Sequence, residues 1–277
     1  MTRAKGFLFR CTGMLIGVFP LGLVAQELPA NHDSQHHLAL GFYSAMGNFG
    51  AQDATHITYL PLSWAVTKGR WSGQLSLAKL RVEGPGNVLV NLGGVTRAVA
   101  SDSIGHYSGT GDSLVEIGYT KTQEIPQGVL PSLFGDSLAV GARLSVKLPT
   151  ASVEKNLGTG ERDVSLQLES SFDIGQNTVF TTLGYSDRGA SQVFTDIKNS
   201  GYVQVGIARR LTQSTSAGLL YDYRETASKF FGDVQEVGLY AGWELSRTWS
   251  LTALASAGLN ASSAEHAVYL QLVYQVK

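Results

Sequence analysis

The sequence predicts an all-β chain: a single antiparallel transmembrane β-barrel of about 12 strands, with short periplasmic turns and longer extracellular loops. Three observations carry that expectation. Long segments alternate strictly between apolar and polar residues, short connections alternate with long ones, and the first residues read as an export signal.

The alternation is cleanest in Ser137–Ile174. Leu138, Val140, Ala142, Leu144, Val146 and Leu148 are interleaved with Ser137, Gly141, Arg143, Ser145 and Lys147. Beyond a loop, Val164, Leu166, Leu168, Phe172 and Ile174 are interleaved with Ser165, Gln167, Glu169, Ser171 and Asp173. A period of two puts each set on its own face of a strand. Strands in soluble proteins run to ~5–6 residues, whereas a tilted outer-membrane strand needs ~9–11. The apolar face would meet lipid and the polar face would line a lumen.

Twelve segments follow this pattern, at 38–46, 56–67, 70–82, 113–123, 136–148, 162–174, 177–187, 200–211, 215–224, 233–246, 249–259 and 265–276. The last is among the clearest, with Val268, Leu270, Leu272, Tyr274 and Val276 on one face. The first and fourth are the least regular; in the fourth, Glu116 sits among Val115, Ile117 and Tyr119. Lys68-Gly69, Gly175-Gln176, Thr212–Ser214 and Ser246–Thr248 read as tight turns, and Glu124–Gly135, with Pro126 and Pro131, as a longer link on the same side. On the other side lie polar links at 47–55, 83–112, 149–161, 188–199, 225–232 and 260–264. That asymmetry is the outer-membrane pattern of turns and loops, and an even count brings both termini to the turn side. Trp71, Trp243 and Trp249 flank tight turns, as an interfacial aromatic girdle requires. Glycines within segments (Gly118, Gly141, Gly184, Gly206, Gly238, Gly242) suit a wall that bends and leaves interior room.

Residues 1–25 read as a secretory signal. Arg3, Lys5 and Arg10 precede apolar Gly13–Val24, and Leu23-Val24-Ala25 ends in a small residue suited to cleavage near Ala25. Gly13–Val24 is too short to span a membrane and contains Pro20. The domain reading is signal 1–25, a periplasmic tail or plug at 26–37, and the barrel at 38–277. Cleavage would remove three cations and no acids, taking the net charge from −1 to −4. It would also remove Cys11, the one cysteine, leaving no thiol chemistry. An acidic mature chain argues against nucleic acid as a partner.

Few motifs suggest catalysis. Gly109-Thr110-Gly111-Asp112 and Gly158-Thr159-Gly160-Glu161 each run straight into a strand. A phosphate cradle opens a helix instead, so both read as glycine-bent strand starts with an acid at the rim. Asp102, Ser103, His106, Ser108 and Asp112 could be assembled into a hydrolase, but such residues are common in polar loops and only geometry makes a triad. His32, His36 and His37 fall in the tail, where Pro29 and Asn31 argue against the helix that would pair them on a metal. Neither a metal nor a cofactor is expected.

The charges that matter lie on inward positions. Arg143 and Lys147 stand on one strand, with Glu169 and Asp173 on its neighbour; Asp222, Arg224, Glu236 and Glu244 recur later. Outward, each would cost ~2–4 kcal/mol at mid-bilayer. Inward, opposed rows of base and acid either select permeants or pair locally and solubilise the wall. Arg143, Lys147, Glu169, Asp173, Asp222 and Arg224 are therefore the candidate lumen lining. The 83–112 connection, with Asn87, Asn91, Arg97, Asp102 and His106, is the candidate plug or gate, because structureless loops of that length are usually functional.

Several stretches resemble a known family. They are Tyr59-Leu60-Pro61-Leu62-Ser63, Gly69-Arg70-Trp71, Leu80-Arg81-Val82-Glu83-Gly84-Pro85-Gly86, Ser108-Gly109-Thr110-Gly111-Asp112, Val146-Lys147-Leu148-Pro149-Thr150, Leu157-Gly158-Thr159-Gly160-Glu161-Arg162-Asp163 and Leu183-Gly184-Tyr185. These are similar to the outer-membrane transporters named after the MetA pathway of phenol degradation, over about residues 55–190. The resemblance implies passive uptake of small hydrophobic or aromatic compounds, without enzymatic activity or cofactor. Implied partners are outer-membrane lipid, the outer-membrane assembly machinery and the solute itself. Lys277 departs from the aromatic ending common among such barrels. An adhesive or structural barrel, an outer-membrane lipid hydrolase and a secreted soluble β protein are the alternatives.

Overall fold

The computed structural model describes residues 34–85, 88–92, 95–99, 104–124, 137–155, 157–191, 197–227 and 232–276. Residues 1–25, His32 and the 125–136 link lie outside them. The described residues form fifteen strands. They are β1 (Gln35–Gly47), β2 (Thr55–Lys68), β3 (Trp71–Pro85), β4 (Val88–Leu92), β5 (Val95–Val99), β6 (Ile104–Thr110), β7 (Ser113–Glu124) and β8 (Ser137–Leu148). After these come β9 (Asp163–Ile174), β10 (Asn177–Arg188), β11 (Ser200–Arg210), β12 (Thr215–Arg224), β13 (Val234–Glu244), β14 (Trp249–Gly258) and β15 (His266–Val276).

Consecutive strands pair antiparallel around a ring, and β15 returns to β1 from His36↔Val276 to Met46↔His266. Closure pairs the strands of the ring on both sides, the condition for backbone to cross lipid; β6 pairs with β3 alone. β3 pairs with β7 over Trp71–Ser76 and with β6 over Lys79–Pro85. β6 and β7 are therefore one stave, interrupted at Gly111-Asp112, and the barrel has twelve staves. Each of the twelve segments expected from alternation is a strand within a few residues of its expected bounds.

Two boundaries differ from expectation. The 83–112 connection is not structureless: β4 and β5 form a hairpin, and β6 belongs to the wall. The break at Gly111-Asp112 interrupts the period of two, so the fourth stave reads in sequence as starting at Ser113. Its missing half, rich in glycine and serine, is held by the ladder to Lys79–Pro85. At the N-terminal side, β1 begins at Gln35, which puts His36 and His37 in the wall and outside the expected tail.

The short links join β2–β3, β9–β10, β11–β12 and β13–β14, at the end where β1 starts and β15 finishes. Gly69 and Gly175 sit in two of these turns at φ +58° and +63°, where a Cβ would be strained. Outward positions across the middle of the staves are apolar and exposed: Leu40, Leu62, Leu77, Ile117, Leu168 and Leu239 are examples from six staves. Many of the polar side chains are inside. A water-soluble protein does not display so continuous a greasy band. Near the short-turn end, Trp71 meets Tyr119 edge-on at 5.0 Å and Trp249 meets Tyr274 at 4.8 Å, forming an aromatic girdle.

Candidate functional site: the barrel interior

Side chains of one parity on each strand share the interior. An apolar sector is densest on β1–β3 and β15, and its cluster continues through Phe180, Ala208, Leu220, Tyr240 and Leu254 on β10–β14. Tyr43 and Ala45 on β1, Ile57 and Tyr59 on β2, Ala78, Leu80 and Val82 on β3, and Ala267 and Tyr269 on β15 are buried in one cluster, with Tyr107 of β6 against it. This sector corrects the expectation that the inner face is uniformly polar. On β2 both parities are largely apolar, so alternation alone does not reveal which face is inside.

The other sector is polar and begins on β3. Gln74 donates to Glu116 at 2.9 Å, and Ser145 donates to the second Glu116 oxygen at 2.8 Å. Arg143 pairs with Glu169 at 3.2 Å. Gln167 donates to the same Glu169 oxygen and accepts from the Tyr202 hydroxyl at 2.6 Å. Further round, Arg224 pairs with Asp222, which stands directly across from Gln204 on one side and Glu236 on the other. Tyr202 interacts electrostatically with both ion-pair groups, and Tyr43 reaches from the apolar sector to Asp222, Arg224 and Glu236.

Three inner aromatics lie flat against the wall because their cross-strand partners are glycines. Tyr202 faces Gly184, Phe180 faces Gly206 and Tyr240 faces Gly218. A Cβ on Gly184 would sit 2.0 Å from the Tyr202 ring, and one on Gly206 would sit 2.2 Å from the Phe180 ring. Rings laid along the wall in this way protrude less into the interior.

A third polar group closes the loop end. Lys147 is 1% exposed, with Nζ 2.8 Å from Asp163 and 3.6 Å from Asp112. It also donates to Thr159 Oγ1 at 2.9 Å. Asp112 accepts from the Ala151 N–H at 3.0 Å, and the 149–162 loop folds inward until Leu157 is fully buried in the apolar cluster. The expected acid at the strand rim is thus a buried anchor, on the same inward parity as Leu114 and Glu116.

Of the candidate lining residues, the fold brings Arg143 to Glu169 and Asp222 to Arg224. Lys147 instead meets Asp163 and Asp112. Asp173 stands apart near the short-turn end, accepting from Ser137 at 3.0 Å and Thr178 at 2.5 Å. Glu116, Gln167, Tyr202 and Asp163 join the charge groups without having been candidates; all share the inward parity of their strands, which was the signal available.

Of the candidate gate residues, Asn87 and Asp102 lie outside the described residues, Asn91 lies in β4 and Arg97 in β5. His106 is a wall residue, exposed on the outer face with Ser108, whereas Asp112 is buried inside. Those three members of the possible hydrolase set therefore do not converge. Among the described residues, no cluster of three His, Cys, Asp or Glu side chains is arranged to hold a metal ion.

No protein-family model matches the chain, and no curated protein matches it in sequence. Solved structures do. The COG4313 outer membrane channel from Pseudomonas putida F1 is 13% identical, with a TM-score of 0.63 over 88% of this chain and 96% of that one. The KdgM porin is 8% identical with a TM-score of 0.46, over 86% of this chain and 99% of that one. OmpF of Salmonella typhi is 10% identical with a TM-score of 0.40, over 88% and 97%. The first likeness is one of fold: this chain is built as an outer-membrane β-barrel of twelve staves.

Proposed function

We propose that the chain is a passive outer-membrane channel for small hydrophobic or aromatic compounds. One observation carries the reading: an apolar, tyrosine-rich cluster and two ion pairs share the same interior. Tyr43, Tyr59 and Tyr269 are buried, so an aromatic solute with one polar group would part them to lay its ring among them. Its polar group would turn toward the Asp222–Arg224 or Arg143–Glu169 pair. The motif resemblance to the MetA-pathway transporters and the fold likeness to the COG4313 channel support the same reading. The outward apolar band supports residence in the outer membrane; export with cleavage near Ala25 and delivery by the assembly machinery follow from reading residues 1–25 as a signal. Passage needs no covalent step, so no catalytic residue or cofactor is assigned.

Single-channel recording of the refolded protein in a planar bilayer tests this. Discrete conductance steps that a small aromatic acid blocks, and a non-aromatic acid of equal charge does not, are expected. A folded, inserted barrel with no conductance and no solute flux into vesicles would refute the channel reading and leave the structural or adhesive role.

A further inference from the structure

We propose that the outer wall of β2, β3 and β6, just above the apolar band at the loop end, is a binding site for the phosphate groups of a lipid A-type glycolipid of the outer leaflet. The inference rests on outer-membrane residence and is independent of what the channel conducts.

The outward face of β3 changes character abruptly. Leu75 and Leu77 are exposed apolar residues of the band; the next two outward positions are Lys79 and Arg81, both exposed. The ladders extend this into rows across three staves. Leu60, Lys79 and Thr110 stand abreast, then Thr58, Arg81 and Ser108, then His56, Glu83 and His106. Glu83 holds the Arg81 guanidinium and lies 3.6 Å from the His106 ring. The Glu83 contact engages Arg81 Nη2, and Arg81 stands abreast of the hydroxyl-bearing Thr58 and Ser108. Lys79, nearest the band, has no acidic partner among the described residues.

A planar fork, a point cation and flanking hydroxyls at the height of lipid headgroups are the donor set that phosphate takes. Elsewhere on the same rim exposed charges of both signs mix, Asp187 and Glu225 with Arg162 and Lys198, whereas here two cations stand at successive outward positions of one strand. A structural reading of the pair, as mere solubilising charge above the membrane, gives no reason for Lys79 to stand immediately beside Leu77 and Leu60.

The test is binding of bisphosphorylated lipid A, and of the same lipid stripped of its phosphates, to the folded protein in neutral detergent. Heat-modifiable electrophoretic mobility confirms the fold of each variant. The intact protein is expected to prefer the phosphorylated lipid. A Lys79→Gln, Arg81→Gln double variant should bind it about 30-fold more weakly, at ~1 kcal/mol per basic residue. Arg209→Gln, an exposed cation at the short-turn end of β11, should change nothing. Equal binding of the two lipids by the intact protein overturns the proposal and needs no variant. So does unchanged affinity in a folded double variant. Conductance in pure phospholipid, read separately, distinguishes failure of this site from failure of the channel.

Discussion

Lys147→Met should destabilise the barrel by about 3–5 kcal/mol, the usual consequence of removing one partner from a buried ion pair. The ammonium is 2.8 Å from Asp163 and 3.6 Å from Asp112, and each of the three side chains is at most 6% exposed. Methionine nearly preserves volume, so a cavity contributes little. What remains is two buried carboxylates without their shared cation, placing the loss toward the upper end of that range. Thr159 Oγ1 loses its contact with the ammonium, and with it the 149–162 loop loses a tether. Urea unfolding from lipid vesicles, followed by tryptophan fluorescence, reads the stability; limited proteolysis of intact protein reads the loop. The double variant Lys147→Met, Asp163→Asn should recover part of the loss, because one orphaned charge is gone and the sites are in contact. A single variant within about 0.5 kcal/mol of the parent, with its loop as resistant as before, would refute the reasoning. It would mean that the group is solvated and that Lys147 does not hold the loop.

Four further outcomes are expected. Leu239→Arg places a charge on an outward position that is 64% exposed; if lipid covers it, stability in vesicles falls by ~2–4 kcal/mol, which the same urea titration measures. Gly206→Ala forces the Phe180 ring off the wall, since the new Cβ would lie 2.2 Å from it and 2.8 Å from the Leu219 carbonyl; a loss of about 1–3 kcal/mol and altered conductance should follow. Arg143→Gln leaves Glu169 and Glu116 without their cation, so the reversal potential under a salt gradient should shift toward cation selectivity. Asp233, in the 225–233 connection, accepts from the Thr226 N–H at 2.9 Å and the Tyr223 hydroxyl at 2.8 Å, which hold its carboxyl below the usual range. That contribution is complete above the unfolded value of about 3.9 and is lost as pH falls through the lower folded value. Proteolysis of this connection should therefore accelerate below about pH 4 in the parent but be pH-independent there in Asp233→Asn.

The sequence disclosed the wall better than the interior, for a physical reason. Lipid imposes one rule on every outward residue, and the rule repeats every second position; Leu138–Leu148 and Val164–Ile174 could be assigned from it directly. The interior obeys no such rule. β2 carries Ile57 and Tyr59 inward and Leu60 and Leu62 outward, so its parity is silent about direction. Only closure against β1 and β3 decides it. The pairing of charges is also a matter of register: Lys147 and Asp163 are direct cross-strand partners, as are Arg143 and Gln167, and one residue of slip would exchange these for other neighbours.

The same logic explains the misread fourth stave. A break in alternation at Gly111-Asp112 looks like the end of a strand, because local pattern cannot distinguish an end from an interruption. In the folded wall Asp112 keeps the inward parity of Leu114 and Glu116 and meets Lys147 and the Ala151 N–H, while the extra residue reverses the faces of β6. β6 then continues upward on the far side of the break and presents His106 and Ser108 outward beside Arg81. One irregularity thus sets the faces of β6 and with them the third stave of the basic patch outside the barrel, while the inner anchor follows from the parity of β7. Deleting Gly111 would remove the one extra residue of this stave and leave β6 in its present register against β3, with His106 and Ser108 outward and Tyr107 inward. Retention of the outer patch in that variant is what this geometry requires.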